Sequence, residues 1–508
     1  MREDKSYSSK SAPRITRREA LRSGAALAGL LAAGAPRMAP AFAAEGEEGS
    51  APRPNILFIM GDDHTSQAWG CYEGRLSEFA HTPNIDRLAE QGARLRNVFV
   101  ENSICAPSRA TILTGQYSNR HGVKTLRDGL DPRIDHVGKR LRQGGYETAL
   151  VGKWHLKEPP SGFDFWSIIR GQGQYREPVM FEGDFGAGEV QDGQFSADAF
   201  TNKALSWLKE REGDRPFCLM LHFKATHESW QFPERFADLY DDVTFPEPAS
   251  LFGGTGPENS RVPGWPLEIL TERMTTQDRY GAGRLTLETE DPRERRRATY
   301  QKLIRDFLRC GAAIDDNIGR VLEYLDRAGL AEDTIVIYTS DQGYFLGEHN
   351  YFDKRFMLEE SIRMPFVVRY PREIEAGTVL DDIILNVDFA PTFLDYAGLE
   401  APSTMQGRSF RANLQGETPG DWREAMYYRY YMDSERRPSH FGIRTHDHKL
   451  IYYDGMTDRP ESRRWEFYDL DKDPHENRNA YDDPEHGDTI AALKERLRRL
   501  QEELDDVP

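Results

Sequence analysis

The most constraining feature of this chain is a short apolar run, Asn55-Ile56-Leu57-Phe58-Ile59-Met60-Gly61, which follows a proline and runs straight into Asp62-Asp63. It has no alternation of polar and apolar residues. A strand of this kind must be buried on both faces, as in a parallel sheet layered between helices. The pattern recurs. Apolar strands are predicted at Glu147–Val151, Phe217–Phe223, Thr334–Thr339 and Met364–Arg369. Helical periodicity places helices at Asn84–Gln91, Ile134–Gln143, Ala197–Arg211 and Tyr300–Ala328, three of them closed by glycine at Gly92, Gly144 or Gly329. Alternating helices and apolar strands define an α/β fold with a large, mostly parallel sheet flanked by helices. Polar clusters follow four of the strands: Asp62-Asp63, Gly152-Lys153-Trp154-His155, His227 and Ser340-Asp341-Gln342-Gly343. The carboxyl ends of parallel strands are where such sheets place their ligands.

Beyond residue 420 the character changes. Met426–Met432, Phe441–Thr445 and Lys449–Tyr453 read as short antiparallel strands, and Thr489–Leu504 as a closing charged helix. The expected organisation is a catalytic domain over 54–420 and a smaller C-terminal α+β subdomain over 421–508. The Pro-, Gly- and charge-rich stretch from about 240 to 298 reads as long surface loops. At the other end, a basic stretch around Arg17-Arg18, an apolar run from Gly24 to Ala35 and the small-x-small site Ala41-Phe42-Ala43 read as an export signal over 1–43, with 44–53 as linker. Thr16-Arg17-Arg18 resembles a twin-arginine signal, although Ala20 stands where such signals carry Phe. The apolar run is too short to span a bilayer. An exported, periplasmic or secreted protein is expected, with no membrane insertion after the signal is removed.

The net charge of −18 argues against nucleic acid or an anionic membrane as partner. An anionic substrate would require a local cationic pocket. Four scattered cysteines, Cys71, Cys105, Cys218 and Cys310, show no zinc spacing; a Cys71–Cys310 or Cys218–Cys310 bridge stays open. Adjacent aspartates at a strand end are either a solvated turn or a hard-cation site, and their oxygen ligands suit Ca²⁺ or Mg²⁺ better than zinc.

Cys105-Ala106-Pro107-Ser108-Arg109, followed by Leu113-Thr114-Gly115, resembles the signature of the type I, formylglycine-dependent sulfatases. So do Asn55–Asp63, Gly152–His155 and the run Ser340–His349 continuing to Phe352-Asp353-Lys354-Arg355. The resemblance extends over nearly the whole chain from Asn55. It implies an alkaline-phosphatase-like fold and a sulfuric ester hydrolase whose Cys105 is converted to formylglycine by a formylglycine-generating enzyme. A serine would be left as a stable sulfate ester, whereas a hydrated aldehyde has a second hydroxyl through which sulfate can be expelled. The resemblance further implies a divalent cation on Asp62, Asp63, Cys105, Asp341 and Gln342, with Gln342 departing from the family's Asn or His. It gives Arg109 beside the nucleophile, Lys153 in the sulfate pocket, His155 as base, and His227 with Lys354 on the sulfate and leaving oxygen; His222 competes with His227.

Gly162–Trp166, Gly171–Tyr175 and Phe441–Thr445 resemble bacterial glycan sulfatases of the N-acetylglucosamine-6-sulfatase type. Asp353, Arg355 and His440 are then candidate sugar contacts, and a sulfated carbohydrate is the expected substrate. The alternatives are a phosphonate or phosphate monoester hydrolase of the same superfamily, or another glycan sulfatase such as an iduronate-2-sulfatase-like enzyme.

Overall fold

The computed structural model describes residues 53–211, 213–253, 264–433, 437–455 and 463–507. The expected signal over 1–43 and nearly all of the linker lie outside the described residues.

In chain order the strands are β1 Asn55–Gly61, β2 Ala93–Phe99, β3 Glu147–Lys153, β4 Phe165–Ile169, β5 Val179–Glu182, β6 Glu189–Val190, β7 Phe217–His222, β8 Thr334–Ser340, β9 Phe345–Leu346, β10 Phe352–Asp353, β11 Arg363–Arg369, β12 Thr378–Leu380, β13 Ile384–Leu385, β14 Ala425–Tyr430, β15 His440–Thr445, β16 His448–Tyr453 and β17 Arg464–Asp469. The large sheet runs β12-β2-β11-β8-β1-β7-β3-β4-β5-β6, with β13 also on β2. Its centre, β8-β1-β7-β3-β4, is parallel throughout, while β11, β5 and β6 pair antiparallel. Every residue of β1 is buried, as its unbroken apolar pattern demands. Successive β1 side chains point to opposite faces, and each face has its own core: Ile56, Phe58 and Met60 join one, Leu57 and Ile59 the other.

The second core is roofed by the helix Pro292–Arg327, which Asp291 caps by accepting hydrogen bonds from the backbone N–H groups of Arg293 and Glu294. It begins eight residues before the predicted start. The segment expected to be surface loop also contains the helix Leu267–Thr276, whose Leu267, Leu270 and Met274 are fully buried in that core. Its flanking Pro and Gly masked a three-residue apolar spacing too short to stand out. The carboxyl-terminal sheet is four-stranded and antiparallel, β14-β15-β16-β17, with the helix Gly487–Glu503 packed against it. All four cysteines are free, so neither bridge left open by the sequence is present.

Candidate active site

β1, β3, β7 and β8 lie side by side, so the turns that leave them converge. Asp62 and Asp63 leave β1, and Asp341 and Gln342 leave β8. The Asp63 N–H donates to Asp341 Oδ1 at 3.1 Å, and Asp63 has φ 69°, a left-handed conformation uncommon outside glycine. Lys153 ends β3. Gly152 before it has φ 105°, and a Cβ there would sit 2.0 Å from the His222 carbonyl oxygen of β7. Only glycine lets the two strands close up at this point. Cys105 is the first residue of the wholly buried helix Cys105–Thr114, and Arg109 follows one turn later on the same side. Lys354 arrives from the loop after β10.

These side chains form one buried cluster. Cys105 Sγ lies 3.4 Å from Asp62 Oδ1 and 3.7 Å from Gln342 Nε2. Lys153 Nζ donates to Asp62 Oδ2, and also to Gln172 Oε1 at 2.6 Å. Arg109 holds Asp341 through Nε at 2.9 Å and the Lys153 carbonyl through Nη1 at 2.7 Å, with Nη2 3.8 Å from Asp62. Lys354 Nζ donates to both oxygens of Asp63 at 2.7 and 2.6 Å. His227 Nε2 stands 4.0 Å from Asp63 Oδ2, while its Nδ1 donates to the Glu228 carbonyl at 2.7 Å.

Burial and neighbouring charge set the protonation preferences. Burial works to raise Asp62, yet Lys153, His227, Arg109 and Lys354 hold it well below the usual carboxylate range. Burial raises Asp63, with Lys354 opposing, and burial plus the Asp62 charge push Asp341 up to about 7. Burial also pushes the Cys105 thiol up to about 12, with Asp62 adding to the effect, so an unconverted Cys105 is a poor nucleophile. Burial lowers His155 to about 2 and His227 well below an ordinary imidazole. Both are therefore neutral here, poised to take a proton once negative charge arrives.

The structure thus brings Asp62, Asp63, Cys105, Arg109, Lys153, Asp341, Gln342, Lys354 and His227 together. His222 is turned away: it is buried and faces the Lys153 carbonyl at 3.3 Å, leaving His227 to meet the carboxylates. His155 is half-buried at the rim, and its Nδ1 has no hydrogen-bond partner among the described residues. Asp353 and Arg355 pair at 2.7 Å one residue to either side of Lys354, at φ 89° and 93°. His440 is 1% exposed, ringed by Phe356, Tyr428, Tyr430 and Tyr453.

The sequence reading missed two residues with a place in the site. Gln172 pins Lys153. Lys224 is buried, lowered to about 8 by burial and Lys153, and stands 4.6 Å over the Tyr175 ring. The signal for Lys224 was its position three residues before His227, in the segment that leaves the end of β7.

The oxygens fit a hard cation. One carboxylate oxygen each from Asp62, Asp63 and Asp341 lie within 4.8 Å of one another, all fully buried, and Gln342 Oε1 has no hydrogen-bond partner among the described residues. Three carboxylates crowded out of water in this way need more positive charge than a lone sulfate pocket would.

A cysteine at a helix start faces three carboxylates and convergent cations at the carboxyl edge of a parallel sheet, an arrangement suited to hydrolysis of tetrahedral anionic esters. The chain belongs to the sulfatase family, whose model matches residues 54–399; a second model, the C-terminal part of N-sulphoglucosamine sulphohydrolase, matches 347–503. It is 41% identical over 499 aligned residues to the N-acetylglucosamine-6-O-sulfatase of Bacteroides thetaiotaomicron, covering 89% of this chain and 87% of that one. A solved structure described as a complex with its substrate D-glucosamine-2-N,6-O-disulfate superposes with a TM-score of 0.80 at 38% identity, covering 89% of this chain and 98% of the other. The phosphonate monoester hydrolase of Silicibacter pomeroyi shares the fold, with a TM-score of 0.71 at 22% identity over 89% of this chain and 95% of its own. The fold is alkaline-phosphatase-like, as the sequence implied.

Proposed function

We propose that this sulfatase removes the 6-O-sulfate from N-acetylglucosamine, or from a glucosamine relative, within a glycan. The observation that carries the reading is the cluster itself: Cys105 in contact with Asp62 and Gln342, and a ring of Lys153, Arg109 and Lys354 facing the same space. The relative at 41% identity and the substrate named for the structure at 38% identity support the sugar and the sulfate position.

Cys105 is the residue converted to formylglycine, whose hydrated aldehyde supplies one hydroxyl to attack sulfur and another through which sulfate is released. Asp62, Asp63, Asp341 and Gln342 would hold a divalent cation, Ca²⁺ in preference to Mg²⁺, which supplies Lewis acidity at the sulfate oxygens. Arg109 pairs with Asp341, opposing the rise that burial gives its pKa, and orients the nucleophile. Lys153 and Lys354 neutralise the sulfate at short range, which reconciles an acidic protein with an anionic substrate. His155 takes the proton during release of sulfate. His227, once protonated on Nε2 beside the bound sulfate, and Lys354 face the leaving oxygen and supply its proton. Asp353 and Arg355, on either side of Lys354, and His440 serve as the sugar contacts. Residues 1–43 direct export, and amino-terminal sequencing of the mature protein should begin at Ala44.

The test uses protein coexpressed with a formylglycine-generating enzyme and offered 6-sulfated N-acetylglucosamine, 2-O- and 4-O-sulfated sugars, and a phosphonate monoester. Release of sulfate from the 6-O-sulfate at a kcat/KM at least about tenfold above the others supports the reading. Preference for the phosphonate ester, or for another sulfate position, overturns it.

A further inference from the structure

The segment that the sequence left unplaced ties together the two loops carrying His227 and Lys354. Arg273, on the helix Leu267–Thr276, pairs with both oxygens of Glu228 at 2.8 and 2.9 Å. Tyr280 OH donates to the same carboxylate, and Gly281 N–H donates to the Ser229 carbonyl at 2.9 Å. Glu228 is the residue whose carbonyl accepts from His227 Nδ1. A carbonyl can only accept, so this bond fixes the proton on Nδ1 and turns Nε2 toward Asp63.

The guanidinium of Arg273 also lies 4.4 Å over the Trp265 ring and 5.5 Å over Phe352. On Trp265 sits a second cation, Arg437, at 4.6 Å, and Arg437 pairs with Asp353. Asp353 precedes Lys354, whose Nζ is 4.0 Å from its carboxylate. The Trp265 carbonyl accepts from the Phe352 N–H at 3.1 Å, and Pro266 bridges Tyr351. The result is a continuous line of contacts: Glu228, Arg273, Trp265, Arg437, Asp353.

We propose that the Arg273–Trp265–Arg437 stack is the positioning element for the leaving-group end of the site, setting the separation of His227 and Lys354. The proposal rests on the reading above that these two residues serve the leaving oxygen. Stability alone does not account for the arrangement. The Arg273 and Glu228 side chains are 28% and 22% exposed, so water screens part of the attraction and the pair's contribution to folding is modest. Its geometry is specific nonetheless: a planar cation that stacks and pairs at once, which lysine cannot reproduce. Arg273 touches neither the carboxylate nest nor Cys105, so it is a positioning residue and not a catalytic one.

A positioning role makes a prediction that a structural role does not. Proton donation matters for a poor leaving group and hardly at all for a good one. The matured full-length enzyme and its Arg273→Ala and Trp265→Phe variants are compared on N-acetylglucosamine 6-sulfate, trifluoroethyl sulfate and 4-nitrophenyl sulfate. In Arg273→Ala, kcat for the sugar ester should fall at least about tenfold and for the nitrophenyl ester less than about threefold, with trifluoroethyl between, since general acid assistance is worth on the order of 10² to 10⁴. Trp265→Phe keeps an aromatic face and should give the same ordering with smaller factors; it decides the matter if Arg273→Ala does not fold. Equal losses on all three esters in a folded variant, or no loss, overturn the proposal. A wild type inert toward every ester instead overturns the functional reading, and the proposal falls with it.

Discussion

Two charge clusters of this protein are built on opposite plans. In the active site, Asp62, Asp63 and Asp341 crowd together under three cations, and Gln342 Oε1 is left without a partner among the described residues. The other cluster joins Glu359 to the carboxyl-terminal sheet. Wholly buried Lys449 pairs with Glu359 at 2.9 Å and Glu476 at 2.6 Å, while Arg444 and Arg363 also hold Glu359. The second cluster is closed on itself, and the first is open toward a ligand. Closed buried networks fix how segments dock, and removing one member leaves an uncompensated charge. Open clusters keep their groups under strain for chemistry, at a cost to folding.

The comparison breaks most visibly at Cys105. Cys105→Ala removes the atom to be converted, and loss of a nucleophile costs activity by several orders of magnitude, here at least about 10⁴-fold. The same change should move the denaturant midpoint by no more than the equivalent of about 1 kcal/mol, because the site's charges are untouched. A folded Cys105→Ala enzyme retaining more than about a hundredth of wild-type sulfate release would sink the mechanism.

At Lys449 the pattern reverses. Lys449→Met strands wholly buried Glu476 and loosens the hold on Glu359, whose side chain is 13% exposed, with an expected loss of about 3–5 kcal/mol. Equilibrium unfolding in urea measures it. A loss below about 1 kcal/mol would show that water reaches this cluster and that the contrast with the site is not one of closure.

Much of the open cluster was legible in the sequence, while the closed one was not. Asp62, Asp63, Asp341 and Cys105 stand at strand ends or a helix start, in short runs whose residue types suit few tasks. β1, β7 and β8 were readable within a residue or so because a strand buried on both faces carries a mainly apolar run, with polar residues confined to its ends. Glu359, Arg444, Lys449 and Glu476 are ordinary charged residues in the sequence; only the packing of β15 and β16 buries them. β2, three of whose seven residues are exposed or partly exposed, carries Arg94, Arg96 and Asn97 and so broke the apolar pattern. β17 begins with Arg464 and Trp465 and was hidden for the same reason. The helix Leu267–Thr276 needed Arg273 to be seen touching Glu228 before its purpose was visible.

The smallest expected effect lies beneath the nucleophile's helix and tests whether strain is confined to the site. Glu101 is buried, with no ion pair among the described residues. It accepts hydrogen bonds from Thr111 Oγ1 at 2.7 Å, on that helix, and from Ser118 Oγ at 2.8 Å. Burial raises its pKa from 4.5 to about 7, the two hydroxyls opposing. Because the folded value exceeds the unfolded one, the folded chain binds a proton that the unfolded chain has released. Its contribution to stability is whole below about pH 4.5 and is lost as pH rises through 7. At one pH unit per 1.36 kcal/mol, the full loss is on the order of 3 kcal/mol. Asp315, raised to about 6, and the metal-free Asp341 slope the same way, so the wild type keeps part of this dependence without Glu101. Glu101→Gln retains an acceptor for both hydroxyls and cannot ionise. Urea unfolding at pH 5 and pH 8, with chelator present, should show the wild type losing stability over that interval and the variant losing less, by about 2 kcal/mol. An unchanged slope would place Glu101 in contact with water and leave the active site as the strained region.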